Sequence, residues 1–144
     1  DLCSPTILQK VMAIYYEKYI DKVLPDCLKI YKKRSEAMLK GIKETFPAGD
    51  YTTPTGGFFV WFESKKNFDS KIFLKEKSIP NDIVYVPGAA FYPIKGWNFD
   101  IEQNKLVTSE AKTNTMRLGF SLNNKEEIYE GITKLGVLLS KELE

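Results

Sequence analysis

Asn114-Thr115-Met116-Arg117-Leu118-Gly119-Phe120-Ser121 is the stretch on which the fold turns. Met116, Leu118 and Phe120 alternate with Arg117, Gly119 and Ser121, the period-2 pattern of a strand with one apolar face. Such a face needs a covering layer, so a small sheet covered on one side by helices is the natural packing. Arginine at a strand centre is unusual, because an unpaired guanidinium is costly to bury. Gly119 and Ser121 leave the face beside Arg117 small and polar. A planar fork of donors with room beside it suits a carboxylate. The competing reading is a surface arginine on a half-exposed strand.

Outward from this strand, the N-terminal half reads as helix. Ser4-Pro5 is a start signal, with serine as N-cap and proline at the first helical position. Ile7, Leu8, Val11, Met12, Ile14 and Tyr15 follow at helical spacing. A break is expected between Tyr19 and Pro25, and then a second helix with Cys27, Tyr31, Met38, Ile42 and Phe46 on its stripe. Pro47 and Gly49 end it. Phe58 to Phe62 is a continuous apolar run, which predicts a strand covered on both faces. Asp69 caps a short helix through Glu76, and Ile83 to Val86 is a short β-branched strand. Residues 89–112 form a connection longer than compact domains ordinarily use, to be built as a lid, a hairpin or an insertion. Asn124-Lys125-Glu126-Glu127 resembles a capping box and opens a last helix with Ile128, Ile132, Leu135, Leu138 and Leu139 inward. The expected class is therefore α+β, a two-layer arrangement. Three to four mostly antiparallel strands lie under helices, in the order α-α-β-α-β-β-α.

Composition narrows the chemistry. The 144 residues predict a single domain, 1–144, with enough chain to bury a core. Net charge is +2, which gives no bulk attraction to nucleic acid or membrane. The chain has no histidine, which removes Ser-His and Cys-His pairs and histidine-ligated metals together. Cys3 and Cys27 match no metal spacing, and a reduced, cytoplasmic protein is the simplest reading, although one disulfide stays possible. No apolar stretch approaches a membrane span. Asp1-Leu2-Cys3-Ser4 carries neither an initiator methionine nor a signal pattern, as in the middle of a longer chain.

Other candidate sites are weaker. Gly56-Gly57 before an aromatic strand lacks the lysine and helix start of a phosphate loop, so a tight turn explains it better. Val86-Pro87-Gly88-Ala89-Ala90-Phe91-Tyr92-Pro93 is either an ordinary turn or a loop that lines a pocket. Lys10 and Lys105 are conceivable Schiff-base lysines, but nothing local marks either as desolvated. The residues alone thus offer a carboxylate receptor and no catalyst.

Three motifs occur in order: Pro54-Thr55-Gly56-Gly57-Phe58-Phe59-Val60-Trp61, Val86-Pro87-Gly88-Ala89-Ala90-Phe91, and the Arg117 strand. Together they resemble the C-terminal small domain of class I/II, fold type I pyridoxal-phosphate-dependent aminotransferases. The closest likeness is to the branch acting on 2-aminoadipate, kynurenine or aromatic and branched amino acids. The resemblance implies that Arg117 binds the substrate α-carboxylate. It implies that Gly57 and Phe59 border the substrate side-chain pocket, and that Gly88 and Phe91 belong to a loop that moves on closure. It also implies amino-acid and 2-oxo-acid substrates, a homodimeric parent, and a large domain of the same chain that residues 1–20 would end or link to. The lysine, the acidic residue and the stacking aromatic that hold pyridoxal 5'-phosphate in that family have no counterpart here. No catalytic, cofactor-binding or metal-binding residue is therefore expected, and the fragment should be inactive alone. The segment from Gly96 to Lys112 looks longer than the family's usual link. Two alternatives accompany this reading. One is the aminotransferase-like sensing domain of a winged-helix transcriptional regulator, and the other is a free-standing association domain.

Overall fold

The computed structural model describes residues 4–93 and 95–144, with every side chain of 96–109 except those of Asn98 and Ser109. Asp1, Leu2 and Cys3, and with them any Cys3–Cys27 pairing, lie outside the described residues. The chain divides into two compact units, Asp1–Lys33 and Arg34–Glu144.

Helix α1 spans Thr6–Thr45, beginning in the first unit and ending in the second. At its start the Pro5 carbonyl accepts from the amides of Leu8 and Gln9, and the Gln9 side chain donates back to the Ser4 carbonyl at 2.8 Å. The break expected between Tyr19 and Pro25 is absent, and Pro25 lies inside the helix. Proline removes one amide and crowds the carbonyl four residues back, but its fixed φ is helical. Its neighbours Lys22, Leu24, Leu28 and Lys29 are good helix formers, and the local penalty does not end the helix.

The second unit contains β1 (Gly49–Tyr51), β2 (Phe59–Ser64), α2 (Ser70–Phe73), β3 (Val86–Pro87), β4 (Gly96–Asp100), β5 (Lys105–Ser109), β6 (Thr115–Gly119) and α3 (Lys125–Glu142). Four strands form an antiparallel sheet in the order β1-β2-β6-β3, and β4 and β5 pair with each other as a separate hairpin. The α+β class, with helices over one side of a small antiparallel sheet, is what the alternation in β6 predicts. Val60 and Phe62 of β2 and Met116 and Leu118 of β6 point into the core, with Phe120 just beyond the strand. Met38 and Ile42 of α1, Ile128, Ile132, Leu135 and Leu139 of α3, and Phe73, Tyr85 and Leu143 complete it. Close approach of the two helices depends on glycine. A Cβ on Gly136 would sit 2.2 Å from Thr45 Oγ1, and one on Gly41 would sit 2.9 Å from Ile132 Cγ2. The helix start at Asn124 is a full capping box with Glu127.

Several elements differ from expectation. The β2 run is not covered on both faces: Val60, Phe62 and Ser64 are buried, whereas Phe59 is exposed and Trp61 and Glu63 are half-buried. An aromatic on the open face looks, in sequence, like one in the core. The helix capped by Asp69 is one short α-turn, Ser70–Phe73, which widens into a π-turn at Leu74–Ser78 and tightens into a 3-10 turn at Ile79–Asn81. Pro80 sits inside that last turn, and Asp82 then takes a left-handed conformation, φ 62°. The strand expected from Ile83 to Val86 is reduced to Val86–Pro87. Tyr85 turns inward instead, its hydroxyl donating to the Ser70 carbonyl at 2.6 Å, and burial pushes its pKa well above the usual tyrosine value. The long connection is a hairpin, one of its three readings. Strand β1 was hidden because Gly49 and Asp50 look like turn residues.

Candidate functional site

Arg117 occupies the middle of β6, and β6 is an inner strand of the sheet. Register sets its neighbours: Trp61 of β2 lies opposite on one side and Val86 of β3 on the other. Strand alternation sends Arg117 to the face away from the helices, together with Phe59, Trp61 and Glu63. The guanidinium carbon lies 4.2 Å from the centroid of the Phe59 ring and 4.6 Å from that of Phe91. Trp61 meets Phe91 edge to face at 5.6 Å and lies beside Tyr92 at 6.2 Å. The arginine thus sits within a group of aromatic rings, two of which it covers directly.

The room expected beside Gly119 is used by one of these rings. Phe59 is the register partner of Gly119, and a Cβ there would stand 3.6 Å from the ring in ordinary contact. Ser121 turns to another task, its carbonyl accepting from Arg34 at 2.5 Å. Among the described residues no hydrogen bond or ion pair reaches the Arg117 guanidinium, and its Nε is buried without a partner. Glu63, the carboxylate on that face of β2, is held by Lys112 at 2.6 Å, a bond that raises the pKa of Lys112. A half-buried guanidinium without an anionic partner among the described residues is electrostatically incomplete, which is the condition of a site awaiting an anion.

The glycines serve the site from behind. Gly57 takes φ +79° in the exposed turn that leads into β2, a conformation other residues rarely adopt. It makes no wall of its own and sets the path of the chain two residues before Phe59. Gly88 is buried against β6: a Cβ would lie 2.0 Å from Thr115 Oγ1. It seats the 3-10 turn Gly88–Phe91, which carries Phe91 to Arg117. The structure therefore brings Arg117, Phe59 and Phe91 together and leaves Gly57 and Gly88 as supports. Trp61 and Val86, which cross-strand register identifies, and Tyr92, which a ring contact with Trp61 identifies, are additions that sequence reasoning missed.

The residues present do not fit a pyridoxal phosphate site. A lysine that forms a Schiff base is activated by desolvation or a neighbouring cation. Every lysine in the chain is solvent-exposed, Lys10 and Lys105 included. Among the described residues no cluster of His, Cys, Asp and Glu could hold a metal, and no helix is long and apolar enough to cross a membrane.

No family model matches the chain. It is 37% identical over 145 aligned residues to aromatic-amino-acid aminotransferase 1 of Thermococcus litoralis, an alignment covering 99% of this chain and 31% of that protein. Its fold is similar to that of the multiple substrate aminotransferase of Thermococcus profundus, with a TM-score of 0.77 and 30% identity over 99% of this chain and 32% of that one. It is also similar to the Pyrococcus horikoshii kynurenine aminotransferase solved with PMP, with a TM-score of 0.71 and 33% identity over 90% of this chain and 29% of that one. The chain spans about a third of the length of the relatives it matches. These relatives lend no support to the regulator alternative. The relatives in sequence and the neighbours in fold are pyridoxal-phosphate-dependent aminotransferases, and the chain fits the C-terminal domain of such a protein.

Proposed function

We propose that this chain binds the substrate α-carboxylate in an aminotransferase that moves an amino group from an amino acid to a 2-oxo acid. The observation that carries the reading is the Arg117 guanidinium, set on an inner strand without an anionic partner among the described residues. Its terminal nitrogens present two parallel donors, which match the two oxygens of a carboxylate. Such a pair grips the substrate and fixes its orientation, so that the amino group faces the reacting centre. The exposed aromatic face excludes water from one side of that contact and strengthens it.

The remainder of the polypeptide is proposed to supply the cofactor, its lysine and a large domain, in a cytoplasmic homodimer. Residues 1–20 would lead from that large domain, and the chain alone would be inactive. Gly88 and Phe91 would take part in closure over the substrate, and Phe59 would border its side chain.

The test is Arg117→Lys in the intact polypeptide. Lysine keeps the charge and loses the fork. Each charge-assisted hydrogen bond is worth about 1.5–3 kcal/mol, so loss of one should lower kcat/KM for α-carboxylate substrates roughly ten- to a hundredfold. Visible absorbance of the bound cofactor should persist. Unchanged kcat/KM would sink the assignment.

A further inference from the structure

Two aromatic rings reach Arg117 from different parts of the fold. Phe59 belongs to β2, fixed by its pairing with β6. Phe91 ends the 3-10 turn whose first residue, Gly88, is buried against Thr115. The guanidinium carbon lies over both rings at 4.2 and 4.6 Å. Trp61 supports Phe91 edge to face. The arginine Nε is buried and unpartnered, so no acceptor in solution can approach that edge of the fork.

An arginine offers a carboxylate two pairs of parallel donors. One is Nε with the adjacent Nη, and the other is the two terminal Nη groups. Burial of Nε removes the first choice. Aromatic faces hold a flat cation by its plane, which limits rotation of the fork. We infer that Phe59 and Phe91 are positioning residues that fix the guanidinium plane of Arg117, mask its Nε, and leave the terminal Nη pair to take a carboxylate end-on. The inference rests on the carboxylate reading above and goes beyond it. It moves Phe59 and Phe91 from pocket lining to control of the arginine, and it makes Gly88 the seat of that control.

Arg34 and Arg117 are the chain's arginines, so the arginine side-chain region of its 15N–1H spectrum is simple. In the 144-residue chain the Arg117 Nε–H signal should be shifted upfield by the two rings and should exchange slowly with solvent. Phe59→Leu and Phe91→Leu should each reduce the shift and speed the exchange, and Phe59→Tyr and Phe91→Tyr should restore both. Titration with acetate, the simplest carboxylate probe, should move the Arg117 terminal Nη signals more than Nε. Each leucine variant should weaken acetate binding about fivefold. An Arg117 Nε–H that exchanges as fast as in free arginine, or that is unmoved in both leucine variants, overturns the inference. Acetate that leaves Arg117 unmoved while the ring effects hold overturns the carboxylate reading instead. If a leucine variant loses its dispersed core methyl signals, comparison of its tyrosine counterpart with the wild type carries the test. A tyrosine chain that keeps its core but loses the Nε–H shift contradicts the proposed role of the ring.

Discussion

The two faces of the four-stranded sheet are built from the same strands to opposite ends. On the helix side, Val60, Met116 and Leu118 are almost wholly removed from water. On the other side, at the next residue along each strand, stand Phe59, Trp61 and Arg117, with Phe59 45% exposed. The covered face is closed in the sense that its apolar groups are in contact with one another. The open face holds a cation, unpaired among the described residues, beside large rings. Stability therefore resides on the first face and the proposed carboxylate binding on the second, because a packed apolar surface gains from burial whereas a guanidinium without an anionic partner gains from an added anion. Strand alternation makes the separation possible within a single five-residue strand.

Substitutions on each face sharpen the contrast. The largest effect belongs to the covered face. Leu135 of α3 is fully buried, and Leu135→Ala should destabilise the chain by about 2–5 kcal/mol in urea unfolding. Gly88→Ala comes next and affects both sides, because its Cβ would meet both the side chain and the backbone of Thr115. We expect a loss of about 1–3 kcal/mol, with Phe91 displaced from Arg117 in the variant's crystal structure. Gly131 of α3 has open space around its missing Cβ, unlike Gly136 on the same helix. Gly131→Ala should therefore stabilise by about 0.5–1 kcal/mol, seen as a raised Tm. Tyr85 tests the covered side through the pH dependence of stability. Burial first, and Asp69 second, raise its pKa above the ordinary 10.0. The folded state thus holds its proton more tightly than the unfolded one. That contribution is complete below about pH 10 and declines as the pH rises above it. Tyr85→Phe should flatten the decline in a pH series of unfolding curves.

Much of this organisation is legible in the chain. The alternation through Arg117 gives the strand and its apolar side, and the Asn124 capping box gives the start of α3. Asp69 has the pattern of a cap, and it accepts from the amides of Lys71 and Ile72. What was not legible depends on partners distant in sequence. Phe59 and Val60 are equally apolar, and only pairing with Gly119 and Leu118 puts them on different faces. Phe91 reaches Arg117 because Gly88 lies flat on Thr115, a contact across 27 residues that no local pattern encodes. Pro25 shows the opposite error, in which a strong local signal was outweighed by helix-forming neighbours. The resemblance to aminotransferases pointed to Arg117, Phe59 and Phe91 together, but the direct covering of one by the other two appears only in three dimensions.

The central claim is that the open face of the sheet receives a carboxylate at Arg117. Its most direct test is a crystal structure of the intact polypeptide with a bound 2-oxo acid. The account predicts a carboxylate held by both terminal Nη groups of Arg117, with Phe59 and Phe91 still against the guanidinium and Nε making no bond to the ligand. A 2-oxo acid bound with its carboxylate on another residue, and Arg117 left unpaired, would contradict it.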